Sequence, residues 1–164
     1  MESRLKYIMS NPENGEIRME LSGRIDETFN TDLFNLNLPE KVYINMDRVH
    51  SINSVGIQDW ILWMNSMSTK FIFLSHCQKA VIDQINNVEG FSPDNVQVMS
   101  FYVPYFNMDL NLEKNILIHS KDLNFSEPIE DQIKKTITDE KGDHLEIDIV
   151  VSKYFRFLSK YIKK

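Results

Sequence analysis

The sequence predicts an α/β fold of the α+β kind: a mixed sheet of four to five strands with helices packed on it, then a small C-terminal α+β extension. Three observations carry this expectation. Residues 42–46 and 71–74 are apolar runs bounded by polar residues, too short for helices, and read as buried strands. Between them, residues 54–68 place Ile57, Ile61 and Met64 at helical spacing. Pro104 then marks a break, and a smaller set of strand and helix patterns follows it. A length of 164 residues suits one domain with an appendage, drawn as 1–103 and 104–164.

Taken in order, residues 5–9 and 16–21 flank Asn11 to Gly15 and read as a hairpin. Ser22 to Asp26 is expected to leave the sheet. Phe29, Leu33 and Phe34 have helix-compatible spacing, which predicts a short helix over 27–35. After the strand at 42–46, a polar turn over 47–53 leads into the helix at 54. Val81, Ile82 and Ile85 share one face of an amphipathic helix over 78–87, and 96–103 alternates as a strand. Parallel crossovers would put the helix N-termini, Ser54 included, at the C-terminal edge of the strands, where such sheets usually meet ligands or partners. In the extension, 114–119 and 145–149 read as strands. Residues 127–137 read as a helix with Ser126 as N-cap and Pro128 early in its first turn. A last helix over 151–162 carries Tyr154, Phe155, Phe157, Leu158 and Tyr161 on its apolar side. The extension is small for a core of its own and is expected to pack on the first domain.

Composition removes several function classes. A net charge of −6 argues against electrostatic nucleic-acid binding, which needs a basic face to neutralise phosphates. The one basic cluster, Lys153, Arg156, Lys160, Lys163 and Lys164, reads as a solvated helix face. No apolar run reaches the ~18 residues of a membrane span, and residues 1–10 lack a signal-peptide hydrophobic region, so a cytoplasmic protein is expected. A single cysteine, Cys77, fits a reducing compartment. The five glycines form none of the nucleotide-binding or nucleophile-elbow motifs, and no HExxH is present.

The stretch 41–69 is where function is expected. Strand, turn and helix start would present the Ser54 hydroxyl together with several backbone N–H groups. One reading makes Ser54 the helix N-cap, worth ~1 kcal/mol. The other makes it a modification site, since a phosphate there would meet the positive end of the helix dipole. Trp60 and Trp63 lie on or beside the apolar stripe. A stripe at this spacing reads first as core. Ile57, Trp60, Ile61, Leu62, Trp63 and Met64 together cover more circumference than one buried face needs, which leaves a second reading in which one of the two tryptophans is exposed as a partner anchor.

With Leu21 to Asp26, the strand 42–46 and the run Ile52-Asn53-Ser54-Val55-Gly56-Ile57 in view, residues 5–103 resemble a STAS domain. This is the anti-sigma-factor-antagonist type found in bacterial partner-switching systems. The chain keeps Ser54, Gly56 and Ile57 of the family signature and departs at Asn53, commonly Asp there, and at Val55. The resemblance implies a non-enzymatic signalling module in transcription regulation. It implies docking to an anti-sigma factor or serine-kinase-type partner through Asn53, Ser54, Val55, Gly56 and Ile57 and the adjoining helix, with Trp60 added from the helix stripe as the aromatic anchor, and phosphorylation of Ser54. The alternative is an unregulated scaffold or self-associating homodimer that has lost the switch.

The stretches 75–86 and 100–105 resemble STAS proteins that carry a C-terminal extension. In that subgroup two CxxC pairs would make a zinc ribbon. Here the corresponding residues are Asn107, Leu110, Thr138 and Lys141, with Gly142 retained, so no cofactor or metal is expected. His50, His76, His119 and His144 are scattered, and His144 with Asp139, Glu140 and Asp143 reads as a solvated loop. Cys77 reads as a buried structural thiol, because His76 beside it points the other way on an extended chain. Small-ligand binding at the Ser54 helix terminus is the weaker expectation, because nothing glycine-rich cradles a phosphate there.

Overall fold

The computed structural model describes residues 4–162, so Lys163 and Lys164 of the basic tail lie outside the described residues. The chain is mixed α+β, with a five-stranded mixed sheet and a four-stranded antiparallel sheet. β1 (Lys6–Met9) and β2 (Glu16–Ile25) form the expected antiparallel hairpin. β3 (Lys41–Ile52), β4 (Phe71–Ser75) and β5 (Val96–Val98) add in parallel, in the order β1-β2-β3-β4-β5. Their crossovers carry α1 (Ser54–Ser66) and α2 (Lys79–Asn87), since parallel neighbours cannot be joined by a tight turn. Val42, Ile44, Met46, Ile72 and Leu74 are all fully buried on one face of this sheet. The intervening residues, Tyr43, Asn45, Phe73 and Ser75 among them, face the other side and are only half-buried.

The central strands run further than the apolar pattern indicates. Residues 47–52 continue β3, and residues 22–25 continue β2, where a turn and an exit were expected. Two register shifts, between Glu20 and Ser22 and between Gly23 and Arg24, keep the pair together. They bring Val49 opposite Gly23 and into the core although the polar residues around it hide any alternation. The helix expected over 27–35 is a single 3-10 turn, Thr31–Asn35, because Asn30 caps it by accepting the Asp32 N–H and Leu36 is already extended.

Residues 96–103 are not one strand. The chain leaves β5 at Val98 and enters β6 (Ser100–Asn107), the start of the second sheet. β7 (Leu112–His119), β8 (Thr136–Thr138) and β9 (His144–Ile147) complete it in the order β7-β6-β9-β8. Pro104 sits inside β6 and does not break it. The Pro104 carbonyl accepts from Asp148 N–H, one residue past the end of β9, so the missing proline N–H faces a place where that ladder has stopped. The helix expected over 127–137 is cut to α3 (Ile129–Gln132), with Pro128 and not Ser126 at its cap position. The β-branched residues Thr136, Ile137 and Thr138 are taken by β9 instead.

The last helix is also broken, into α4 (Val151–Tyr154), a 3-10 turn (Phe155–Leu158) and α5 (Ser159–Ile162). Tyr154, Phe155, Phe157 and Leu158 are all buried, which is more circumference than one α-helical stripe can turn inward. This segment joins the two sheets. Phe101 of β6 meets the rings of Tyr154, Phe155 and Phe157 at 6.5, 6.1 and 5.0 Å. Asn86 of α2 donates to the Tyr154 carbonyl, and the Tyr161 hydroxyl accepts from Val98 N–H on β5. Lys160 is not a solvated residue: its ammonium donates to the Val96 carbonyl at 2.6 Å, and burial lowers its pKa. The core is continuous across both sheets.

Truncating Phe101→Ala should therefore cost about 3–5 kcal/mol. Urea unfolding followed by fluorescence of Trp60 and Trp63, which sit on the first sheet, should coincide with loss of far-UV dichroism from the whole chain. Separate transitions would show that the sheets unfold independently.

Candidate functional site

Asn53, and not Ser54, caps α1. Its backbone is extended, and its Oδ1 accepts the Val55 and Gly56 N–H groups at 3.1 and 2.9 Å. Its own N–H donates to the Ile25 carbonyl, and its carbonyl accepts the Ile57 N–H. Among the described residues only Ser54 N–H is left without a partner in this first turn, so the turn does not offer several open donors. Asn53 Nδ2 donates to Glu27 Oε2 at 2.8 Å. An aspartate at this position would lose that donor and face Glu27 with a second charge.

Gly56 is dictated by contact. A Cβ there would lie 2.2 Å from the Ile25 carbonyl carbon and oxygen and 2.4 Å from Asp26 N. The first turn of α1 thus rests directly on the backbone at the end of β2. Asp26, 4% exposed, is held below it by Thr28, whose hydroxyl and N–H donate at 2.6 and 2.9 Å, and by Arg24 Nε at 3.2 Å. The Thr28 hydroxyl and then its N–H lower the Asp26 pKa, Arg24 adds to this, and burial opposes it. Glu27 is also lowered, first by the Asn53 amide.

The outer face of α1 is short and specific. Ser54 and Gln58 are exposed, Val55 is 49% exposed and Leu62 58%; a separation of seven positions puts the last two on the same side of the helix. Ile57 is half-buried and Gly56 buried. Both tryptophans are fully buried, as the core reading of the stripe has it, so Trp60 is not available to a partner and the exposed-anchor reading fails. Trp60 stacks on Phe91 at 5.3 Å, donates its indole N–H to the Phe91 carbonyl and meets Trp63 edge-on. Leu62, which the helical stripe does not single out, is the outward apolar residue. Phe34, 38% exposed, flanks α1 through Phe29, whose ring lies 6.1 Å from Phe34 and 6.2 Å from Trp63. The segments that frame this face, 25–40 and 54–69, contain Asp26, Glu27, Asp32, Glu40 and Asp59 and no lysine or arginine. The C-terminal segment packs on α2 and β5 and leaves Ser54 exposed.

Asn107 and Leu110, and Thr138 and Lys141, lie in two hydrogen-bonded turns. Asn107 Oδ1 accepts the Leu110 N–H, and its Nδ2 donates to the His144 carbonyl. Asp139 Oδ1 accepts the Lys141 and Asp143 N–H groups, and Thr138 Oγ1 lies 3.1 Å from His144 Nδ1. Among the described residues no cluster of three His, Cys, Asp or Glu could hold a metal ion. Cys77 is fully buried and burial pushes its thiol pKa up, which makes it a poor nucleophile. No helix among the described residues is long and apolar enough to cross a membrane. No family model, curated protein or solved structure matches the chain.

Two outcomes test this geometry. Gly56→Ala should cost about 3 kcal/mol through overpacking on β2, while Asn53→Ala should cost ~1 kcal/mol by loss of the cap, both read by urea denaturation. The lowered pKa of Asp26 stabilises the fold fully above its unfolded value and loses that contribution as pH falls through the lower folded value. Below about pH 4 the wild type should therefore lose stability more steeply than Asp26→Asn. Parallel pH profiles for the two proteins would refute this role of Asp26.

Proposed function

We propose that the chain is a non-enzymatic, STAS-like interaction module that docks a protein partner through the outer face of α1. The observation that carries this reading is the grouping of Ser54, Val55, Gln58 and Leu62 on the exposed side of a helix whose opposite side is locked into the core. The partner class is an anti-sigma factor or serine-kinase-type protein. It presents an apolar side chain to Val55 and Leu62 and basic groups to Glu27 and Asp59. Phosphorylation of Ser54 releases it, because a phosphate adds a charge of about −1.5 to −2 beside Glu27, on the surface the partner covers. The fold tolerates this, since Asn53 and not Ser54 holds the helix terminus.

A second reading, an unregulated scaffold or self-associating module, is favoured by the saturation of the first turn. Val55, Gly56 and Ile57 N–H are already bonded, which leaves a phosphate one backbone donor. Wild type, Ser54→Ala, Ser54→Asp and Leu62→Ser as baits in source-cell lysate separate the two. The switch predicts one partner held by wild type and Ser54→Ala and lost by Ser54→Asp and Leu62→Ser. Retention on Ser54→Asp with loss on Leu62→Ser would leave the scaffold. Retention on all four would remove α1 as the docking face.

A further inference from the structure

The face of the five-stranded sheet away from the helices carries a groove of about 520 Å³, and strand register explains its shape. Arg18, Tyr43 and Phe73 are direct neighbours across β2, β3 and β4 and form a tall row. The Tyr43 and Phe73 rings stack at 4.7 Å, and the Arg18 guanidinium lies 4.8 Å from the Tyr43 ring centre. The next row, Glu20, Asn45 and Ser75, has shorter side chains on its two inner strands, and the step between the rows forms the groove. Ile8, 70% exposed, stands opposite Glu20 at one end. His76 closes the other end with its backbone in the left-handed region, φ 53°, and its Nδ1 buried without a hydrogen-bond partner.

The charges there are uneven in their use. Glu20 is paired with Arg48 at 3.4 Å, and Glu16 with Lys41. The Arg18 backbone is bonded to Ser10 in both directions, but among the described residues its guanidinium has neither a carboxylate partner nor a hydrogen bond and lies over the Tyr43 ring. Asn45 Oδ1 is occupied by Asp47 N–H, which leaves its amide nitrogen as a donor toward the groove. A free guanidinium and an amide donor beside an aromatic edge and an exposed isoleucine match one kind of occupant.

We infer that this groove binds a small organic anion with a flat apolar body, its carboxylate or phosphate on Arg18 and Asn45 and its body between Tyr43 and Ile8. This does not depend on the α1 reading. The test is an amide NMR titration of the full chain with naphthoate, with naphthylmethylammonium and acetate as the cationic and ring-free comparisons. Naphthoate should shift Met9, Arg18, Asn45 and His76 and leave Ser54 to Leu62 in place, with a dissociation constant in the millimolar range or below. The two comparison compounds, and naphthoate with Arg18→Met, should bind about tenfold more weakly. Ser75→Leu, which fills the floor of the groove, should abolish binding while the amide spectrum stays folded. Equal binding of the ammonium compound, or naphthoate affinity unchanged in Arg18→Met or in Ser75→Leu, would overturn the inference. So would shifts of the same amides that depend on protein concentration without any probe, because a second copy would then occupy the groove.

Discussion

The close approach of α1 to the end of β2 sets the geometry on which the rest of the first sheet depends. With no Cβ at position 56, the helix axis comes down onto the Ile25–Asp26 peptide. Asn53 ties the same peptide to the helix by donating its N–H to the Ile25 carbonyl. A helix seated this low on its first turn sends Trp60 and Trp63 into the space between helix and sheet, where Phe29 and Phe91 close around them. The outer face is defined by the same constraint. Once residues 56, 60, 63, 64 and 67 are turned inward, Val55, Gln58 and Leu62 have no core to face.

A second joint lies at Met99, between β5 and β6. Met99 N–H donates to Leu74, and Ser120 returns to the same place by donating to Val98 and Met99 carbonyls, so the two sheets are pinned within two residues of each other. The aromatic C-terminal segment then fills the angle between them. Its effect on available surface is selective. Tyr161 and Lys160 occupy the outer edge of β5, where an exposed strand would invite pairing with another chain. The helix-free face of the first sheet and the outer side of α1 are left open, and these two surfaces carry the proposals made above.

Much of this was legible in local pattern, and the misreadings share a cause. The hairpin, the strands around Ile44 and Phe73, and the helices from Ser54 and Lys79 show in the sequence because each carries its own apolar period. Residues 47–52 do not, because there the partner strand and two register shifts supply the pairing, and only Val49 is turned inward as a fully buried residue. The helix expected over 127–137 fails because Thr136 to Thr138 find a strand to pair with. Within the candidate site, Gly56 was singled out in the sequence, but the cap was placed on Ser54 and Asn53 was read only as a departure from a family signature. The contacts of Asn53 and Gly56 were not legible, since Glu27, Ile25 and Asp26 are distant in sequence.

By itself the sequence determined the mixed α+β class, the order of its main elements and the start of the helix at Ser54. Period, turn chemistry and the placement of glycine and proline act over a few residues and need no partner. Which side of α1 faces solvent, that neither tryptophan is reachable and where one sheet ends and the next begins were decided only in three dimensions. Each depends on a contact between residues far apart along the chain: Gly56 on Ile25, Trp60 on Phe91, Phe101 on Phe157. A helical stripe wide enough to bury on either of two faces is settled by whichever neighbour comes closest, and here the missing Cβ of Gly56 sets that distance.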